Sequence, residues 1–336
     1  MIPCSPPRLE SEAWQRELAN AVTDPAELLR LLDLDPSRLP QVQMAGGSFP
    51  LKVTRYFIGL MRRGEPRDPL LAQVLPLVEE EVPVAGYRDD PVDDMGASHR
   101  HGILKKYQGR VLMVTTGACA IHCRYCFRRH FPYSAESALR RQEDAIETLR
   151  GLPDATELIL SGGDPLSLSD ARLEDLLTAA EKLPNLRRLR IHTRLPVVLP
   201  ERVTPGLARL LSRNRLQTVV VIHANHPREV TAELDQALEK LVAAGATLLN
   251  QSVLLKSVND DADTLASLSE SLLGIGVMPY YLHLLDPVAG AAHFDVPRAR
   301  AERLLDELRE RLPGYLVPRM VREVPGAPYK TPVSRL

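Results

Sequence analysis

A partial TIM-like α/β barrel of six βα units, (β/α)6, is the fold class this sequence predicts, and three observations predict it. From about residue 96 onward, short apolar runs rich in β-branched residues alternate with longer amphipathic stretches, the pattern of parallel strands joined by helical crossovers. Six such units fill about 200 residues, short of the roughly 250 of a complete eight-stranded barrel. Polar and glycine residues gather where the apolar runs end, which is where the loops of a parallel α/β fold build a site. A doubly wound sheet satisfies the same pattern.

The elements follow in order. Residues 1–95 read as a mostly helical N-terminal region: "AWQRELANAVTDPAELLRLLD" (13–33) has apolar residues at helical spacing, and Asp24 before Pro25 is an N-cap followed by Pro at the first helical position. "FPLKVTRYFIGLMRRG" and "PLLAQVLPLVEEE" continue that character. The barrel, 96–312, has six expected strands: "RVLMVTT" (110–116), "ELILSG" (157–162), "LRRLRIHT" (186–193), "TVVVIHA" (218–224), "TLLNQSVLL" (247–255) and "MPYYLHLL" (278–285). Helical stretches such as "QEDAIETLRGL" and "ARLEDLLTAAEKL" lie between them. Residues 313–336 form a C-terminal segment expected to close the site.

Composition narrows the function. The 336 residues carry 42 Lys+Arg against 43 Asp+Glu, so no basic excess points to nucleic acid or a membrane surface. No apolar run approaches the roughly 20 residues that span a bilayer, and the N-terminus lacks signal-peptide character. A cytoplasmic protein with a small-molecule partner is the expectation. In that reducing setting a tight cysteine cluster binds metal or does chemistry rather than forming disulfides. Cys4, remote from the others, is given no role.

"CAIHCRYCFRRHF" (119–131) places Cys119, Cys123 and Cys126 directly after the first barrel strand. A structural zinc site would need a fourth ligand, for which His122 and His130 are available, and three buried free thiols are the plainest alternative. An iron–sulfur cluster is the natural reading of three thiolates in one loop, and three protein ligands on a four-iron cluster leave one iron open.

These residues resemble the radical S-adenosylmethionine (SAM) superfamily. The resemblance implies a [4Fe-4S] cluster on the three cysteines with SAM on the open iron. It also implies that "SGGDP", Ser161, Gly162, Gly163 and Asp164, meets SAM through close backbone approach. "LILSGGDPL", "PVVLPERVT", "HANHP", "NQSVLLKSVND", "YYLHLLDPVAGAAHF" and "PGAPYKTPV" resemble, in order and spacing, the lysine 2,3-aminomutase family. Within it the ending is most like the bacterial branch that makes (R)-β-lysine for modification of elongation factor P. The implied cofactors are the [4Fe-4S] cluster, SAM and pyridoxal 5′-phosphate (PLP).

By resemblance, Lys330 forms the internal Schiff base with PLP, and Lys106 and Arg110 hold its phosphate, with Tyr107 beside the ring. Lys106 stands where arginine is common, which keeps the charge and loses the bidentate fork. His223 and Gln251 match positions that contact SAM. Arg128 matches the residue that binds the substrate carboxylate, and Asp286 and Glu323 those that bind the distal ammonium of L-lysine. Glu323 replaces an aspartate and so reaches differently. A flavodoxin or ferredoxin is the expected reductant. The extra zinc cysteines of longer relatives are missing, so zinc and their tetramer are not carried over, and a homodimer is the expectation. The rival readings are a 2,3-aminomutase for glutamate or another amino acid, and a non-catalytic zinc-binding scaffold.

Overall fold

The computed structural model describes residues 13–44 and 47–333. Nine strands form one sheet in sequential order: β1 (Ile103–Tyr107), β2 (Arg110–Thr116), β3 (Glu157–Gly162), β4 (Arg188–Thr193), β5 (Gln217–Ile222), β6 (Thr247–Val253), β7 (Met278–His283), β8 (Arg319–Arg322) and β9 (Thr331–Pro332). β2 to β8 run parallel, whereas β1 and β9 add antiparallel to the two edges. β2 to β7 are the six expected strands, each followed by a helix, so the sheet is the predicted (β/α)6 partial barrel. β8 extends it by a seventh parallel strand. Its four residues, "RMVR", are too short an apolar run to stand out in the sequence.

The helices behind the sheet start as the sequence specifies. Ser169, Thr204, Thr231 and Asp261 each cap a helix by accepting a backbone N–H, and Pro205 takes the first position after Thr204. Their leucines pack outward-facing strand residues such as Leu158, Leu189 and Val220 into one core.

The mostly helical N-terminal region needs correcting. Asp24 does cap Pro25–Leu31, but that helix and Ala13–Ala19, Arg55–Gly59 and Pro69–Ala72 are all short, and much of the segment is irregular. Pro66, Pro76 and Gly64 interrupt the apolar periodicity that suggested longer helices. The segment still buries Leu28, Leu29, Phe57, Leu70 and Leu71 in the core that the barrel helices share, so it is fastened to the barrel wall. Among the described residues no helix is long and apolar enough to cross a membrane. Cys4 lies outside the described residues.

Candidate active site

One cavity of about 1060 Å³ opens at the carboxyl ends of the strands. Alternation along each strand supplies its wall. Arg110 and Leu112 of β2, Ile159 and Ser161 of β3, Arg190 and His192 of β4, and Tyr281 and His283 of β7 all face it, two residues apart. The cavity brings together Cys119, Cys123, Cys126, Lys106, Tyr107, Arg110, Arg128, Ser161, Gly162, Gly163, Asp164, His223, Gln251, Asp286, Glu323 and Lys330. Of the residues singled out for a site in the sequence, His130, a candidate zinc ligand, falls outside it.

The cysteine loop sits where two glycines let it. Gly163 donates its N–H to Thr116 O at 2.6 Å, and Asp164 donates to Ala118 O at 2.8 Å. A Cβ on Gly163 would stand 2.5 Å from Ala118 O, and one on Gly162, whose φ is +120°, 2.7 Å from Thr116 O. Any side chain at either position would push the cysteine loop off β3. Asp164 commits its carboxylate to the neighbouring strand end: it accepts from Thr193 Oγ1 at 2.7 Å and from the backbone of Arg194 and Leu195. What Asp164 offers the cavity is therefore its backbone.

The three cysteines are free thiols. Burial pushes the Cys126 thiol up to about 11, with the neighbouring Cys123 adding to it, and Cys119 rises in the same way. Thiols so placed ionise readily only against a bound cation. Among the described residues no three His, Cys, Asp or Glu side chains come close enough to hold a single metal ion. A polynuclear cluster asks for a wider set, because each thiolate binds a different iron. Of the two candidate zinc ligands, His122 Nδ1 lies 2.9 Å from Pro50 O and His130 Nε2 3.1 Å from Ala289 O.

In the same cavity a chain of alternating charges runs from Lys330 to Arg128. Lys330 Nζ lies 2.5 Å from Glu323 Oε2, whose other oxygen is 2.9 Å from Lys106 Nζ. Lys106 Nζ is 2.7 Å from Asp94 Oδ1, and Asp94 Oδ2 accepts from Arg128 Nε at 2.6 Å. Arg128 also donates Nη1 to Ser161 Oγ at 3.0 Å. Burial opposes ionisation of Glu323, but Lys330 and Lys106 outweigh it and hold its carboxyl at about 2. Asp94 is likewise lowered, Arg128 and Lys106 overcoming its burial. Glu323 is thus paired with two lysines and not with its neighbour Arg322.

Several polar atoms in the cavity wall have no protein partner. Asp286 Oδ1, Arg110 Nε, and Nε2 of His192, His223 and His283 are all buried and unbonded. Burial, then the nearby Glu323, pushes Asp286 up to about 7. Burial holds His223 down to about 4 and His192 and His283 well below the usual imidazole range, so all three are neutral at working pH. Unsatisfied buried groups that converge on one cavity mark where ligand atoms bind.

Residues 113–268 match the family model described as the radical SAM superfamily. Over nearly its whole length the chain is similar to curated proteins named L-lysine 2,3-aminomutase. The Escherichia coli K12 protein is 48% identical over 325 residues, 96% of this chain and 95% of that one. For Haemophilus influenzae the identity is 44%, covering 98% of each chain. The Clostridium subterminale protein is 34% identical, over 95% of this chain and 77% of its own length. The chain belongs to the lysine 2,3-aminomutase family.

It is therefore a radical SAM enzyme and an isomerase, and membership implies a [4Fe-4S] cluster, SAM and PLP as its cofactors. The aminomutase cavity fits them. Three free thiols share one loop, and the same cavity is lined by the unpartnered His223 nitrogen, by Lys330 with a primary amine and by Arg110 with an unbonded guanidinium nitrogen. A volume of about 1060 Å³ is at the top of the range for one drug-sized ligand, as a site for several groups should be.

Sequence reasoning missed three contributors to this aminomutase site. Asp94 joins Lys106 to Arg128 from the N-terminal region, where "DPVDDMG" offers several acids and no means of choosing one. Glu80 grips Arg124 and Arg129 of the cysteine loop and is buried, although it sits in the run "VEEE" that reads as solvated. Arg194 reaches the cysteines, and its signal was visible: it ends "HTR", directly after β4.

Proposed function

We propose that the protein is an L-lysine 2,3-aminomutase that converts (S)-α-lysine to (R)-β-lysine. The observation that carries the reading is the pairing, in one cavity, of a cationic end at Arg128 with a free buried carboxyl at Asp286, next to three cysteines and a lysine. A substrate with a carboxylate at one end and an ammonium at the other satisfies both. The relatives are named for that substrate.

Arg128, held by Asp94 and Ser161, presents its remaining donor edge to the substrate carboxylate. Asp286 accepts the distal ammonium, giving up its proton as it does. Lys330 is the amine that carries PLP, and Glu323 holds it in place through their ion pair. Arg110 binds the phosphate. Lys106, already neutralised by two carboxylates, positions Glu323 and Asp94 rather than acting as a free phosphate ligand. When bound, the cluster and SAM supply a hydrogen-abstracting radical, and PLP supplies the ring that lets an amino group move between adjacent carbons.

We further propose a flavodoxin or ferredoxin as reductant, a cytoplasmic setting, and elongation factor P as the destination of the β-lysine, on the resemblance of the C-terminal segment to that branch. The test is anaerobic incubation of the reduced, reconstituted protein with SAM, PLP and either L-lysine or L-glutamate. β-Lysine from lysine supports the assignment. β-Glutamate alone would replace the substrate, and stoichiometric zinc with no iron would support the scaffold reading.

A further inference from the structure

Beneath the cysteine loop lies a buried polar network that substrate binding leaves unused. At its centre is Arg194, 5% exposed at the end of β4. Its Nη1 donates to Cys123 Sγ at 2.8 Å and to the Tyr125 hydroxyl at 2.6 Å, and its Nη2 donates to Gln73 Oε1 at 2.6 Å and Glu229 Oε2 at 3.0 Å. Its backbone N–H is fixed by Asp164 at 2.8 Å. Glu229 is pinned in turn by Gln73 Nε2 and by the backbone N–H groups of Asn225 and His226, each at 3.0 Å.

The guanidinium cannot lose its proton, so a full positive charge stands beside one cysteine sulfur at every working pH. Glu229 is bonded through Nη2 and the sulfur through Nη1, so the guanidinium meets Cys123 with a donor of its own. Such a network is more than a packing solution, because an aliphatic side chain would have filled the same space without desolvating two charges.

We propose that Arg194 is a positioning residue that raises the reduction potential of the [4Fe-4S] cluster by donating a hydrogen bond and presenting a fixed positive charge to the Cys123 sulfur. The inference rests on the cluster reading of the three cysteines. The step concerned adds one electron from an external one-electron donor to the oxidised cluster and moves no proton or ligand. That electron makes the cluster and its thiolates more negative, so a donor aimed at sulfur stabilises the reduced form more than the oxidised one. Arg194 and Glu229 are buried, which weakens screening by solvent.

The experiment is a redox titration of the reconstituted full-length protein without SAM, followed by the electron paramagnetic resonance signal of the reduced cluster, with iron content measured alongside. At the wild-type midpoint, Arg194→Gln should lower the ratio of reduced to oxidised cluster about tenfold, equivalent to about 59 mV for one electron. Arg194→Lys, which keeps the charge and loses the fork, should shift in the same direction by less. Asn225→Ala disturbs the network without touching Arg194 or the sulfur and should leave the midpoint unchanged. Where Arg194→Gln fails to retain iron, Arg194→Lys decides. Iron-loaded Arg194 variants with the wild-type midpoint would overturn the inference, as would an equal shift in Asn225→Ala. Wild type that takes up no iron would defeat the cluster reading itself.

Discussion

The barrel rim and the N-terminal region build the same cavity in opposite ways. The rim presents its side chains by strand periodicity: Ser161, His192 and His283 each stand at a strand end and face inward because their neighbours face out. The N-terminal region presents irregular backbone and a few buried charges. His122 N–H bonds to Lys52 O and Arg124 N–H to Gln73 O, both at 2.9 Å, while Glu80 grips Arg124 and Arg129. The rim thus supplies the groups that meet ligands, and the N-terminal region holds the cysteine loop and Arg128 where they must be. A ligand site can depend on a segment that contributes almost no ligand contacts.

The largest expected effect belongs to the ligand-facing set. Lys330→Ala should lose turnover and the bound PLP absorbance together, with thermal unfolding little changed, and a surviving absorbance band would show the wrong lysine had been chosen. The N-terminal region should behave in reverse. Glu80→Ala leaves two buried guanidinium groups without their carboxylate, and breaking such a buried pair costs about 3–5 kcal/mol. Chemical denaturation should show that loss; a change below about 1 kcal/mol would mean solvent already reaches the pair.

Asp94 crosses the comparison, an N-terminal residue bonded to Arg128, the proposed ligand of the substrate carboxylate. Asp94→Asn weakens a charge-assisted bond worth about 1.5–3 kcal/mol, so half-saturation by lysine should rise about tenfold or more. An unchanged value would show that Ser161 alone orients Arg128.

Asp286 gives a pH signature. Its carboxyl is raised to about 7, so below that pH an incoming ammonium must displace a proton, and lysine binding should weaken as pH falls from 8 to 6. For the ligand-free fold the sign is opposite: a raised carboxylate stabilises at low pH, and that contribution is lost as pH rises through about 7. In Asp286→Asn both trends should flatten. The smallest effect belongs to a pair that does not line the cavity. Removing the exposed Arg298–Glu302 pair should cost no more than about 0.5 kcal/mol and leave kinetics unchanged.

How much was legible follows the same division. β2 to β7 are each a run of β-branched and apolar residues long enough to recognise, so the barrel and the position of its loops could be read directly. The cysteine spacing announced a cluster, and its role came with the family resemblance. Lys330, Asp286 and Glu323 were proposed only through that resemblance, because a lone lysine or acid carries no local pattern. β8 was too short, and the N-terminal helices were overextended because apolar periodicity continues across prolines that end the backbone hydrogen bonding. Asp94 and Glu80 were invisible because burial, and not spacing, sets them apart from the acids around them.

The most direct test of the account is the ratio of turnover efficiencies for L-lysine and L-norleucine, which lacks only the distal ammonium, in wild type and in Asp286→Asn. Leaving Asp286 buried without its cation should make wild type prefer lysine at least about tenfold, from the roughly 1.5–3 kcal/mol of a charged hydrogen bond. Asp286→Asn should abolish most of that preference. Equal use of both substrates by wild type, or a preference that survives in Asp286→Asn, would contradict a cavity that holds lysine by its two ends.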